Sequence, residues 1–350
     1  MSSACHMFFG GSSRPPFRAR VISIVITRLV LNQNTLPFSA DCSIAGVPWQ
    51  LSTNSPYVLQ AAEKWRPLKR GSKPALFEME VLVDSAQHAP LRTAHFRGIR
   101  HLVFATLPPS NFVVYDLARK RVHAALSEDT ARNLSFWNNL LLPISIGVLG
   151  TAIGIAPLHC ACLERNGAGF LLAGVSGAGK STLTMALANR GFAFISDDWT
   201  YVSKARSAPV AHGLYSPIKL LPDAVRFFPY LRTLAPHATL NGELAYELDP
   251  LRLPKITAKS RSYPQRLLFL ERLSAPGCHF KICPPEYAKA YFEAHAERLP
   301  DEVPGAKEFR SDMFQHLAAY PAWILRTGEG PHETAEALDD FLSEATHAVV

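Results

Sequence analysis

The chain is short of charge. Charged residues fill 19% of its 350 positions and apolar ones 48%, which excludes a disordered, solvating polypeptide and fits a globular one. Lys and Arg number 36 against 29 Asp and Glu. They form no dense run, so the excess reads as a scattered basic surface with no nucleic-acid patch. The triplet Arg119-Lys120-Arg121 falls at a turn and reads as solvated. The six cysteines (Cys5, Cys42, Cys160, Cys162, Cys278 and Cys283) include no C-x-x-C pair. That removes the common zinc frameworks. Cys160 and Cys162 could share one side of a strand, but nothing completes a four-ligand set. The thiols therefore read as buried and free, in a reducing, cytoplasmic compartment. No small-residue cleavage site follows Val21–Ile26, which Arg20 and Arg28 bracket, so this stretch reads as an early strand and not a secretory signal. Internal repeats and long low-complexity segments are absent.

Long uncharged runs are also scarce, with one exception. Leu140–Leu158 carries no charge over 19 residues, which approaches the length of a membrane span. Pro143, Pro157 and three glycines punctuate it, and it ends 16 residues before Gly174. A span there would leave almost no chain for the strand that follows. The expectation is a buried helix capped by Pro157, with no membrane contact.

The length leaves room for two or three modules. Residues 1–17 read as a loose tail, 18–126 as a mostly β N-terminal region, and 127–350 as a nucleotide-binding domain. Strands are expected at Ala75–Val83, His101–Ala105, Asn111–Asp116 and Val122–Leu126. The roles left for this region are dimerisation, acceptor docking or regulation, so a homo-oligomer is one expectation. Ser127–Leu142 reads as a helix, with Ser127 as N-cap, Glu128 and Asp129 matching the dipole, and Trp137 anchoring a core. Later strands are expected at Leu158–Glu164, Gly191–Ser196, Tyr215–Leu220, Tyr246–Pro250, Arg266–Glu271 and Tyr320–Arg326, with a final helix at Glu333–Glu344.

What the chain does have is one dense motif. Gly174-Val175-Ser176-Gly177-Ala178-Gly179-Lys180-Ser181 fits G-x-x-x-x-G-K-[ST] at every fixed position. The apolar run Phe170–Ala173 precedes it as a short buried strand. Thr182–Arg190 follows as a helix stopped by Gly191. This is the strand–loop–helix context in which glycines let successive N–H groups converge on phosphate oxygens. Lys180 would neutralise the β- and γ-phosphates, Ser181 would hold Mg²⁺, and Thr182 would add a first-turn amide. The next strand delivers Asp197 and Asp198, 17 and 18 residues after Lys180. Ligands lie at the C-terminal edge of such sheets. One acid there can serve Mg²⁺ while the other accepts a proton from an attacking hydroxyl.

His159, the loop and the Ser196-Asp197-Asp198 sequence together resemble the catalytic half of bacterial HPr kinase/phosphorylase, with spacing and order agreeing over residues 158–199. ATP-dependent phosphoenolpyruvate carboxykinase is similar in placing paired acids soon after its loop, whereas most P-loop enzymes place the Mg²⁺-associated acid much further along. The implied fold is α/β, a P-loop nucleotide-binding domain of the HPr kinase/carboxykinase type. The resemblance implies ATP and Mg²⁺ as cofactors, with Lys180 and the loop amides on the triphosphate and Ser181 on the metal. It also implies Asp197 as base and Asp198 at the metal, the two able to exchange roles, and His159 near the transferred phosphoryl group. No segment like the HPr enzyme's Glu-Ile-Arg-Gly-Leu-Gly signature or its Arg-rich phosphorolysis loop is present. The chain looks instead like the broader HPr-kinase-related group, some of whose members phosphorylate serines on small peptides or carrier proteins. The expectation is a Mg²⁺- and ATP-dependent serine kinase acting on a protein or peptide. The rivals are a small-molecule kinase with a pocket at the basic loop Lys255–Arg261, a non-catalytic ATP-binding scaffold and, more weakly, a carboxykinase.

Overall fold

The computed structural model describes residues 36–65, 74–84, 95–107, 111–204, 208–214, 216–239, 242–296, 303 and 305–347. The expected tail, the Val21–Ile26 strand, Cys5 and Tyr215 lie outside them. The protein is mixed α/β with several sheets. It divides into two compact units, one of residues 3–155 with 297–309 and one of residues 156–296 with 310–350.

The first unit carries a seven-stranded sheet. Its strands are β1 (Phe38–Ile44), β2 (Val47–Thr53), β3 (Phe77–Asp84), β4 (His95–Ile99), β5 (Leu102–Leu107), β6 (Asn111–Asp116) and β7 (Arg121–Ser127), in the order β1-β2-β3-β7-β6-β5-β4. Ala45 and Gly46 both take positive φ, the turn that right-twisted antiparallel strands need in a two-residue hairpin. Every second residue of β2, β6 and β7 is buried, the period of a sheet covered on one face. Trp49 stacks on Phe77 with ring centroids 5.4 Å apart.

Helical segments follow. Ser127 caps Glu128–Arg132 by accepting from the Thr130 amide, as its sequence position predicts. The expected continuous helix to Leu142 is instead a series: Leu134–Phe136, a π-helical turn Trp137–Leu141, and Leu142–Leu149. Trp137 is buried, and its Nε1 donates to Ala131 O at 3.0 Å. A 3₁₀ turn, Gly150–Ile153, ends at Gly154 in the left-handed region. The apolar helix thus stops at Gly154, where only glycine turns the chain without Cβ strain. Pro157 lies beyond it, in strand β8 (Ile155–Leu158). The stretch Leu134–Ile153 is long and apolar enough to cross a membrane by length and composition alone, and 56% of its 18-residue apolar window is buried.

The second unit is built on a six-stranded sheet. Its strands are β9 (Ala161–Arg165), β10 (Ala168–Gly174), β11 (Ala193–Ser196), β18 (Pro264–Arg272), β19 (Cys278–Ile282) and β20 (Ala322–Thr327), ordered β11-β9-β10-β18-β20-β19. β10, β18 and β20 run parallel. β10 is buried on both faces after its first residue, as a central parallel strand must be. The helix Lys180–Asn189 leaves β10 and shares one core with the C-terminal helix Pro331–His347, through Leu183, Ala186 and Leu187 against Ala335, Leu338 and Leu342. Gly191, at φ 91°, closes the first of these helices as its sequence position predicts.

Around this sheet lie two smaller ones. β12 (Thr200–Lys204), β13 (Pro209–His212) and β17 (Arg261–Ser262) extend from β8. β14 (Ile218–Leu220), β15 (His237–Ala238) and β16 (Leu244–Leu248) form a three-stranded sheet.

Candidate functional site

Strand direction alone brings the chemistry to one edge. β9 runs antiparallel to β10, and β11 antiparallel to β9. The end of β10, the end of β11 and the start of β9 therefore lie at the same edge of the sheet. The first gives the Gly174–Ser181 loop, the second Asp197 and Asp198, the third His159. His159 is not within a strand, as the continuous apolar run Leu158–Glu164 suggested. It occupies a two-residue bend with Cys160 between β8 and β9, which frees its ring to leave the sheet.

The loop is shaped by its glycines. A Cβ on Gly174 would stand 2.8 Å from Leu270 O on the neighbouring strand. Gly177 and Gly179 have φ of 81° and 95°, values that cost an L side chain roughly 1 kcal/mol or more. Gly179 caps the ten-residue helix that begins at Lys180. The helix thus points its free N–H groups and positive end into the loop. Lys180 is buried, and its Nζ donates to Gly174 O at 2.7 Å and Val175 O at 3.4 Å. Two of the three ammonium protons are so engaged, leaving one donor for an anion in the loop. Val175, Ser176 and Gly177 are exposed.

The two acids differ sharply. Asp197 is 3% exposed, and its Oδ1 is buried without a hydrogen-bond partner among the described residues. Its Oδ2 accepts a long bond, 3.4 Å, from the Lys219 amide of β14. Burial, then the neighbouring Asp198 charge, push its pKa up to about 7 against the opposing pull of Ser181, Lys219 and Lys180. Asp198 is 53% exposed, and its Oδ1 meets His159 Nε2 at 2.8 Å. Loss of water pushes its pKa upward, but the His159 bond and charge, with Lys180 and Lys219, hold it below the usual carboxylate value. Trp199 packs its ring 5.5 Å from that of His159.

An oxygen pair suited to a hard cation results: the Asp197 carboxyl with an unsatisfied buried oxygen, and the Ser181 hydroxyl that bears on it. Mg²⁺ takes one or two protein oxygens and completes its shell with water and phosphate. The residues fit such an ion. Among the described residues no group of three or more His, Cys, Asp or Glu gathers as a metal cage. Cys160 and Cys162 are buried, and burial pushes the Cys160 thiol up to about 12 and Cys162 well above its ordinary value.

Other candidates do not join the site. In the basic loop, Lys259 pairs with Glu164 at 2.5 Å while Ser262 donates to the other carboxylate oxygen at 2.7 Å; this cation braces β9. Lys219 does reach the site, through its backbone: its amide donates to Asp197 while its ammonium pairs with Glu243. Trp199 and Thr200 carried no signal in the sequence, and Ser196 entered it only within the Ser196-Asp197-Asp198 pattern. Only their positions flanking the acid pair could have drawn notice.

No family model matches the chain, and no curated protein matches it. Among solved structures, the HPr(Ser) kinase/phosphatase from Coxiella burnetii aligns with 55% of this chain and 97% of its own, at 10% identity and a TM-score of 0.30. A likeness of that size carries no functional argument. The function has to be argued from the site.

Proposed function

We propose that the protein is an ATP- and Mg²⁺-dependent kinase that transfers the γ-phosphoryl group to a serine hydroxyl of a protein or peptide. The observation that carries the reading is the convergence of Lys180, Ser181, Asp197, Asp198 and His159 on one sheet edge. The serine acceptor comes from the resemblance of the His159, loop and Asp-Asp pattern to HPr-kinase-related proteins.

The loop amides and Lys180 hold the triphosphate. Of the two role assignments the sequence allows, the geometry favours the exchange: Asp197 with Ser181 on the metal side, Asp198 with His159 on the acceptor side. Mg²⁺, when bound, supplies charge neutralisation at the phosphate oxygens. Asp198 is the acid an incoming hydroxyl can reach, and His159 fixes its orientation. As the acceptor oxygen bonds to the γ-phosphorus, the bond to the β–γ bridging oxygen breaks and ADP leaves. The acceptor proton passes to Asp198 and then to water. Positioning and charge account for most of the rate in such reactions.

Calorimetric titration with MgATP, alongside an ADP-release assay, tests the reading. Wild type should bind and turn over, while Lys180→Met should lose about 10²–10³-fold in turnover, the scale of removing one preorganised electrostatic group. Unchanged turnover in that variant would remove the loop from the chemistry. His159→Ala is expected to cost turnover about 10–100-fold while leaving MgATP affinity within a few-fold, since the hydrogen bond of His159 goes to Asp198. An affinity loss as large as the rate loss would place His159 on the nucleotide instead.

A further inference from the structure

Ser196 and Thr200 stand on either side of the turn Asp197-Asp198-Trp199, and neither belongs to the transfer chemistry described above. Their hydroxyls meet at 2.6 Å, and Thr200 Oγ1 also donates to Cys160 O at 2.8 Å. A threonine hydroxyl has one proton. Since Thr200 spends it on the carbonyl, the Ser196 hydroxyl must be the donor to Thr200. The relay therefore runs one way, Ser196 to Thr200 to Cys160. It is sealed from water: Thr200 is 0% and Ser196 5% exposed.

We propose that this relay is a positioning latch that sets the acid turn against the His159 bend. Cys160 is the covalent neighbour of His159, and Thr200 lies two residues after Asp198. The bend and the turn are thus tied at two points, by His159 Nε2 to Asp198 Oδ1 at 2.8 Å and by Cys160 O to the Thr200 hydroxyl at 2.8 Å. A single bond between a histidine and a half-exposed carboxylate lets the turn pivot about it. The second, buried bond removes that freedom, and the Ser196 bond closes the turn across its own base. Trp199, between the two ties, rests on the His159 ring and reports on whether they hold. The inference rests on the proposed kinase reading for its rate consequence, but the latch itself is tested by a second readout that needs no activity.

Thr200→Val keeps the shape and removes the hydroxyl. Thr200→Ser keeps the hydroxyl and removes the methyl. In MgATP-saturated transfer assays normalised to folded protein, Thr200→Val is expected to lower kcat at least tenfold with the KM for MgATP within twofold. Thr200→Ser should stay within threefold of wild type in kcat, even where its melting temperature falls. Ser196→Ala, which removes only the outer bond, should lie between them and serves if Thr200→Val does not fold. Trp199 emission, taken as the difference between spectra with and without Trp199→Phe, should shift to the red in Thr200→Val and not in Thr200→Ser. If Thr200→Val leaves both kcat and Trp199 emission as in wild type, the latch is overturned. If wild type transfers no phosphate, the kinase reading fails, and the emission of Trp199 still decides the latch: a red shift upholds it and an unchanged spectrum refutes it.

Discussion

Asp197→Asn should give a protein that resists unfolding better than wild type at pH 8 in EDTA and transfers no phosphate. The stability gain follows from proton linkage. The folded-state pKa of Asp197 stands at about 7, against an unfolded value near 3.9. Below about pH 4 both states hold the proton and the site costs nothing. Between these values only the folded state holds it, so stability falls as pH rises through 7. Above 7 the buried carboxylate, with one oxygen left without a partner among the described residues, costs on the order of 4 kcal/mol. An asparagine avoids that cost but buries an amide of its own without a full set of partners, at roughly 1–3 kcal/mol. The net gain is about 1–3 kcal/mol at pH 8 and disappears by pH 5. Chemical denaturation at the two pH values measures it. In the same variant, phosphoryl transfer should drop by about 10³-fold or more, because the acid facing Ser181 is gone. Wild type should be stabilised by adding MgATP in proportion to ligand occupancy, and the variant much less. A variant that is less stable at pH 8, or equally active, would mean that Asp197 is a structural acid.

Gly213→Ala should be among the most damaging single substitutions in the second unit. A Cβ at Gly213 would lie 1.6 Å from Ile195 O and 2.6 Å from its carbonyl carbon, so one backbone has to move by more than an ångström. Neither is free to do so. Gly213 N–H donates to Ser260 O at 3.0 Å, and Ile195 sits at an irregularity of β11 between Phe194 and Ser196, which pair with Leu163 and Cys162 of β9. The expected cost is about 2–3 kcal/mol, the upper part of the range for overpacking, together with a loss of activity from a displaced acid turn. Gly147 provides the contrast. No atom lies within 4 Å of a Cβ placed there, and its helix would gain up to about 1 kcal/mol from alanine. Urea titrations of the two variants should therefore move in opposite directions. A Gly213→Ala protein as stable as wild type would show that the approach of the two backbones is not what holds β11 in place.

Much of the site was legible in the sequence because its demands are local. Only glycine tolerates the φ values at Gly177 and Gly179, so the loop writes itself as a motif. The short interval to Asp197 leaves room for one helix and one strand, which forces the acids back to the edge they came from. Strand β6 was legible for a similar reason: an uninterrupted apolar run, Phe112–Tyr115, bounded by Asn111 and Asp116. Other features depended on distant parts of the chain. Residues 140–153 are uncharged and largely apolar, so their periodicity has no phase in which the stop at Gly154 could register, and the break at Trp137–Leu141 carries no glycine or proline to mark it. The bend at His159 and Cys160 contains no glycine or proline, and the surrounding apolar residues conceal it. The parallel placement of β2, β3 and β7 reflects which strands meet after long connections, and no local pattern records that. The distinction between Asp197 and Asp198 is likewise invisible in two identical letters. It arises from which of them faces Ser181 and which faces His159.

The most direct test of the kinase assignment is transfer of labelled γ-phosphate from MgATP into proteins of a host lysate, comparing wild type with Lys180→Met. The account predicts a labelled protein band that requires wild-type protein and Mg²⁺, carries the label on serine, and disappears with the variant. ATP consumption with no labelled protein would contradict the protein acceptor and point to a small molecule. Binding of ATP without turnover by wild type would contradict the kinase assignment itself.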